Sequence, residues 1–171
     1  MKLTAEFFNR DVLNVAPDLI GKIIVRKFED GSELCLRITE TEAYRGEEDK
    51  ACHASKGRTP RTEVMYMTAG TIYVYLIYGM YWMFNVVAEK VDVPQAVLIR
   101  CSEEYRGPGK LSKALKLDRS FNKSDICTNL SLSIIDDGYK PKILTKKRVG
   151  IDYSGEEWAS KLWRFVDERF I

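Results

Sequence analysis

Two short connections constrain this chain more than any other feature of its sequence. Residues 71–78 and 81–87 are rich in β-branched and aromatic side chains and meet at Tyr78-Gly79-Met80. A second pair of runs, residues 22–28 and 34–42, is joined across Asp30-Gly31. Turns this short join antiparallel neighbours, because a parallel partner needs a long crossover. Residues 96–101 add a further apolar strand, and strand-like stretches recur at 143–145 and 149–151. Helical signals are brief. Thr4 stands before Glu6, Phe7 and Phe8 as a cap, the apolar pattern from Val12 to Ile20 stops at Gly21, and residues 110–117 follow Gly107-Pro108-Gly109. Residues 156–158 and the apolar stretch 162–166 close the chain, while 45–63 reads as a long polar loop of the kind that usually carries function. No repeat, linker or low-complexity block interrupts the sequence. The predicted fold is therefore α+β: one mixed domain over residues 1–171, with an antiparallel β core, a protruding hairpin and a few surrounding helices.

Composition narrows the classes of function. Hydrophobic residues make up 45% of the chain and charged residues 30%, the balance of a globular protein with a core. No apolar run approaches the ~20 residues of a membrane helix. Glu6, Arg10 and Asp11 fall where a signal peptide would need its apolar stretch, so a cytosolic protein is expected. Cys35, Cys52, Cys101 and Cys127 form no CxxC pair and read as reduced thiols. The chain has one histidine, His53, which excludes zinc sites built on two or three histidines. Neither a metal nor a cofactor is expected. Net charge is only +2, yet residues 106–148 hold eleven Lys or Arg against four acids. Such a basic segment fits either a phosphate-facing surface or an ordinary solvated helix face.

Several residues look chemical. If the 34–42 strand persists, Glu40, Glu42 and Tyr44 share a face with Leu34, Leu36 and Ile38, which would aim carboxylates at an interior. Buried carboxylates have shifted pKa values suited to acid–base work. Pattern alone favours the alternative, a strand that ends near Thr39 and leaves both glutamates in water. Tyr66, Tyr73, Tyr75, Tyr78 and Tyr81 fall within sixteen residues. Most can be core or half-core rings, but a tyrosine at a hairpin tip points to a wedge between bases or to a protein interface. Arg100 ends an apolar strand and needs an acid, a phosphate or water as partner. Gly107-Pro108-Gly109-Lys110 offers free amides to a phosphate, or is a plain turn. Signatures for P-loop, dinucleotide-binding and serine-elbow chemistry are absent.

Taken together, these residues resemble the alkyladenine (3-methyladenine) DNA glycosylase family in its compact bacterial form. The resemblance is carried by Glu40-Thr41-Glu42-Ala43-Tyr44, by Asp49-Lys50-Ala51-Cys52-His53, and by Met65-Tyr66-Met67 followed by residues 70–81 and Asn85. It extends through 96–100, 107–115 and Arg148-Val149-Gly150. It implies a monofunctional enzyme, probing damaged double-stranded DNA as a monomer in the bacterial cytosol and nucleoid. Such an enzyme flips a damaged purine out of the duplex and hydrolyses its N-glycosidic bond, without strand cleavage, to start base excision repair. The substrate class is that of 3-methyladenine, 7-methylguanine, hypoxanthine and ethenoadenine. On this resemblance Glu42 and Arg100 are the catalytic pair, Tyr44, His53, Tyr75 and Asn85 hold the flipped base, and Tyr78, Met80 and Tyr81 contact DNA. The curved core also resembles the C-terminal domain of formyltransferases, which keeps an RNA-binding accessory role as a rival. A non-catalytic nucleic-acid-binding domain is another, and would have no need of Glu42. The connection from Arg100 to Gly107 is short, where vertebrate members carry a long insertion.

Overall fold

The hairpins dictate the sheet. The computed structural model describes residues 1–171, in the order α1 (Ala5–Phe8), α2 (Val12–Asp18), β1 (Ile23–Lys27), β2 (Glu33–Arg45), β3 (Ile72–Ile77), β4 (Tyr81–Ala88), β5 (Gln95–Ser102), α3 (Pro108–Ala114), β6 (Leu132–Ile135), β7 (Ile143–Lys146), α4 (Glu156–Ala159) and β8 (Arg164–Asp167). Every strand pairing is antiparallel. The strands run β3-β4-β5-β2-β1-β6 across one curled sheet, with β8 on β2 and β7 on β8. No helix is long and apolar enough to cross a membrane. The α+β reading of the sequence matches this architecture.

Strand β2 is the spine. One edge pairs with β1 from Glu33 to Arg37 and then with β8 from Glu40 to Glu42. The other edge pairs with β5 from Ile38 to Arg45, with irregular register around Glu40. Such bulges bend a strand and re-aim its side chains. Leu36 and Ile38 enter the main core before the irregularity, and Ala43 enters it afterwards. Thr41 donates to the Ala16 carbonyl of α2 at 2.8 Å. The alternation has therefore inverted: Thr41 and Ala43 face α2, and Glu40, Glu42 and Tyr44 face the opposite side of the sheet. This corrects two expectations. The strand does not end near Thr39, and the glutamates do not continue the Leu36–Ile38 face.

Other differences are local. Thr4 makes no side-chain cap, whereas Asp11 caps α2 by accepting the Leu13 N–H. Two short 3-10 turns, His53–Lys56 and Thr62–Tyr66, give the 45–63 loop shape. Residues 149–151 are not a strand, because the backbone bends away from β8 after Lys146. Strand β6 was not apparent in the sequence; it finds its partner in β1, where Ile24 and Ile134 stand in register.

The hairpin of β3 and β4 ends in a turn closed by the Met80 N–H to the Ile77 carbonyl at 3.1 Å. Tyr78 has φ of 52° and Gly79 65°. Glycine adopts that geometry freely and a tyrosine does not. Nothing packs on Tyr78 to compensate, since it is 87% exposed.

One buried ion pair ties the loop after β2 to the segment after β7. Arg148 meets Asp49 with two bonds, at 2.6 and 2.9 Å, and also donates to the Ala43 carbonyl at 3.0 Å. Both side chains are fully buried. Asp49 accepts the backbone N–H groups of Arg45 and Ala51 as well. Removing one member strands a charge in the interior, so Arg148→Met is expected to cost about 3–5 kcal/mol in urea unfolding. Lys142→Met, which breaks the exposed pair with Glu168, should cost at most about 1 kcal/mol in the same assay.

Candidate active site

A cleft opens on the face to which β2 turns its glutamates. Its outer part, about 420 Å³, is lined among others by Glu42, Tyr44, His53, Tyr75, Tyr78 and Arg100. It narrows inward to about 50 Å³ against Cys52, Tyr73 and Asn85. The neighbouring strands supply these groups in register. Asn85 of β4 stands opposite Tyr73 of β3 and opposite Leu98 of β5, and Leu98 in turn opposes Glu42.

Glu42 is wholly buried and held by three donors. Oε2 accepts the Val149 N–H at 2.6 Å. Oε1 accepts the Tyr44 hydroxyl at 3.0 Å and lies 3.4 Å from Arg100 Nη1. Burial pushes its carboxyl above the ordinary range, against the pull of Arg100 and of the two hydrogen bonds. Glu40 goes the other way. Burial opposes its ionisation too, but the Cys101 thiol at 2.8 Å, Arg164 at 2.6 Å and the charge of Arg100 outweigh it and hold the carboxyl low. Two carboxylates of one strand thus differ in state: Glu40 is held as a counter-charge to its arginines, and Glu42 has a raised proton affinity. Arg100 bridges them, its Nε buried without a hydrogen-bond partner and 3.7 Å from Glu40.

The aromatic groups form a slot. His53 and Tyr75 meet edge-on with centroids 4.5 Å apart, and His53 Nδ1 lies 3.0 Å from the Tyr73 hydroxyl. Tyr44 lines the same cleft without ring contact to either. One face of Tyr44 is covered by the Arg148 guanidinium, 5.0 Å from the ring centroid, and Trp163 covers that guanidinium at the same distance. Asn85 is buried, its amide donating to the Tyr73 and Met83 carbonyls. The hairpin tip stands at the mouth, with Tyr78 and Met80 well exposed and Tyr81 partly so. Beside it, Met80, Tyr81 and Trp82 share a groove with Lys113 of α3 and Lys116 just beyond its end. No three His, Cys, Asp or Glu side chains converge as metal ligands.

Comparisons with known proteins give the family. A family model described as "Methylpurine-DNA glycosylase (MPG)" matches residues 6–106 and 102–169. The chain belongs to the methylpurine-DNA glycosylase family. A protein of Natranaerobius thermophilus is 46% identical over 100% of this chain and 98% of its own length. One from Methanocella arvoryzae is 44% identical over 97% and 92%, and one from Legionella pneumophila 46% over 96% and 93%. Each is named "Putative 3-methyladenine DNA glycosylase". The two matched stretches meet at residues 102–106. Here that is a tight turn in which Ser102 N–H donates to the Tyr105 carbonyl, the short connection noted in the sequence.

The structure brings Glu42, Tyr44, His53, Tyr75, Asn85 and Arg100 to one cleft and sets Tyr78 at its rim, with Met80 and Tyr81 in the groove beside it. Sequence reasoning missed the Val149 N–H on Glu42, the Arg148 support behind Tyr44, and Tyr153, which closes the cleft with its hydroxyl on the Ala51 carbonyl. Of the eleven basic residues counted over 106–148, Arg148 is interior rather than surface charge.

Burial, with the charges of Arg61 and Lys56 added, pushes the His53 imidazole down to about 4. It is neutral at pH 7. As the chain's one histidine it can be followed alone by NMR, and its ring resonances should hold constant from pH 8 to pH 5.5 or so, with a midpoint near 4. A midpoint near 6.5 would mean a solvated ring.

Proposed function

We propose that residues 1–171 act as one monofunctional DNA glycosylase domain that takes damaged purines from duplex DNA and hydrolyses the N-glycosidic bond with a Glu42-activated water. The observation that carries this reading is Glu42 itself: a wholly buried carboxylate of raised pKa, opening onto a tyrosine-lined cleft beside Arg100. In the reaction a water held by Glu42 and Arg100 passes its proton to the carboxylate and its oxygen bonds to C1′. The C1′–N bond breaks and its electron pair leaves with the base. The carboxylate also offsets the positive character that develops on the sugar.

Tyr44 on one side and His53 with Tyr75 on the other stack on the extruded base. Asn85 crowds the exocyclic amine of guanine. Tyr78 fills the gap left in the duplex, with Met80 and Tyr81 against the backbone and Lys113 and Lys116 flanking them, which accounts for an exposed tyrosine kept in a costly backbone conformation. The substrates are 3-methyladenine, 7-methylguanine, hypoxanthine and ethenoadenine. No lysine attacks the sugar, so the product is an intact abasic strand for base excision repair. The enzyme works as a monomer in the cytosol, on the nucleoid.

Single-turnover excision of hypoxanthine and ethenoadenine from labelled duplexes tests the reading. Glu42→Gln should lower the rate by at least about 10²-fold while damaged DNA still binds. Because the ionised carboxylate is the active form, the rate should fall as pH drops, along an acid limb centred above 4.5. Unchanged rates in the variant would remove Glu42 as the base. Tyr78→Gly relaxes the turn, so its stability should stay within about 1 kcal/mol of the parent, while lesion binding weakens. A loss of stability without a loss of binding would make Tyr78 structural.

A further inference from the structure

The charged side chains that line the cleft are matched, but two cations beside it, Arg61 and Lys56, have no carboxylate partner. Glu42 and Glu40 face Arg100 and Arg164, at N–O distances between 2.6 and 3.7 Å. Arg148, behind Tyr44, is cancelled by Asp49. Arg61 is different. Its guanidinium lies over the Tyr75 ring, 5.2 Å from the centroid, and no carboxylate stands within 4.0 Å of it. It leads into the Thr62–Tyr66 turn, on the side of the slot that His53 and Tyr75 form. Lys56, at the end of the His53–Lys56 turn, adds a second positive charge to that side.

A purine alkylated at a ring nitrogen, such as 7-methylguanine in DNA, is a cation; hypoxanthine is neutral. An open tyrosine face attracts a cation. A ring that already carries a guanidinium over one face attracts it less, and the two positive charges repel. We infer that Arg61 is a specificity-determining residue that disfavours cationic purine lesions relative to neutral ones. The inference rests on the glycosylase reading above and adds to it the residue that sets the preference by charge. A contact from Arg61 to a DNA phosphate would help both kinds of lesion equally. Repulsion of the developing sugar cation would hinder both in the same way. The ratio of the two rates isolates the action on the base.

The test compares single-turnover excision of 7-methylguanine and hypoxanthine from otherwise identical duplexes by the parent, Arg61→Gln and Arg61→Lys. Loss of the charge should raise the 7-methylguanine to hypoxanthine ratio by about three- to tenfold. Lysine, which keeps the charge, should hold the ratio near that of the parent. Added salt should narrow the gap between parent and Arg61→Gln, since an exposed charge is screened. The His53 titration gives a readout without chemistry: its midpoint should rise in Arg61→Gln and not in Arg61→Lys. Excision with an unchanged ratio, or an equal fall for both lesions, overturns the inference and leaves the glycosylase reading intact. Excision of neither lesion by the parent overturns both.

Discussion

A single strand has to serve two interiors, and the rest of the molecule is arranged around that requirement. The first half of β2 packs Leu36 and Ile38 into the main core; its second half must still bury Ala43 there while giving Glu42 to a cleft on the other side. A regular strand through Leu36 and Ile38 would place residues 40, 42 and 44 in the core, where two carboxylates and a phenol would lack partners. The irregularity around Glu40 exchanges the faces. It lies where one edge of the strand passes from β1 to β8. The change of partner and the change of face are thus one structural event, and β8 brings Arg164, the group that neutralises Glu40.

Neutralisation then separates the two glutamates. A carboxylate can be buried if donors and opposite charge replace its water, and the balance of these decides its pKa. Glu40 has a short contact to a guanidinium and a thiol, and remains ionised. Glu42 sits deeper, with Arg100 at a looser 3.4 Å. Its tightest donor is an uncharged backbone N–H from Val149, which orients the carboxylate without lowering its proton affinity as much as a close cation would. The carboxylate is thereby fixed in direction while its proton affinity stays raised, the combination that the proposed general base requires.

How much of this was legible follows from the range over which each feature is encoded. The hairpins were read because turn chemistry is local: Asp30-Gly31 and Tyr78-Gly79 carry their geometry within a few residues. Glu42 was visible only as an odd parity, and parity alone pointed to the wrong face, because a bulge is set by the partner strands and leaves no period in the sequence. The resemblance of Glu40-Thr41-Glu42-Ala43-Tyr44 to a known motif named the residue that periodicity had left in water. Arg148 was counted with a basic surface, since nothing around it reveals an acid 99 positions away. The bend after Lys146 was read as a strand for a related reason. Val149 and Ile151 look like strand residues, but the Val149 N–H is taken by a side chain rather than by a ladder.

That bend shows how the distant segments depend on one another. Arg148 is clamped by Asp49 and the Ala43 carbonyl, so the next residue can present its N–H to Glu42. Asp49 is itself fixed by the N–H groups of Arg45 and Ala51, and His53 follows four residues later at the start of its turn. The guanidinium between Tyr44 and Trp163 closes the circuit. One ion pair therefore positions the N–H donor to Glu42, a wall of the slot and the loop that carries the imidazole. It contributes little net stability for a buried pair of its size. Its worth lies in register: a slip of one residue in either loop would move Val149 from Glu42, or His53 from Tyr75, and undo the arrangement of the cleft.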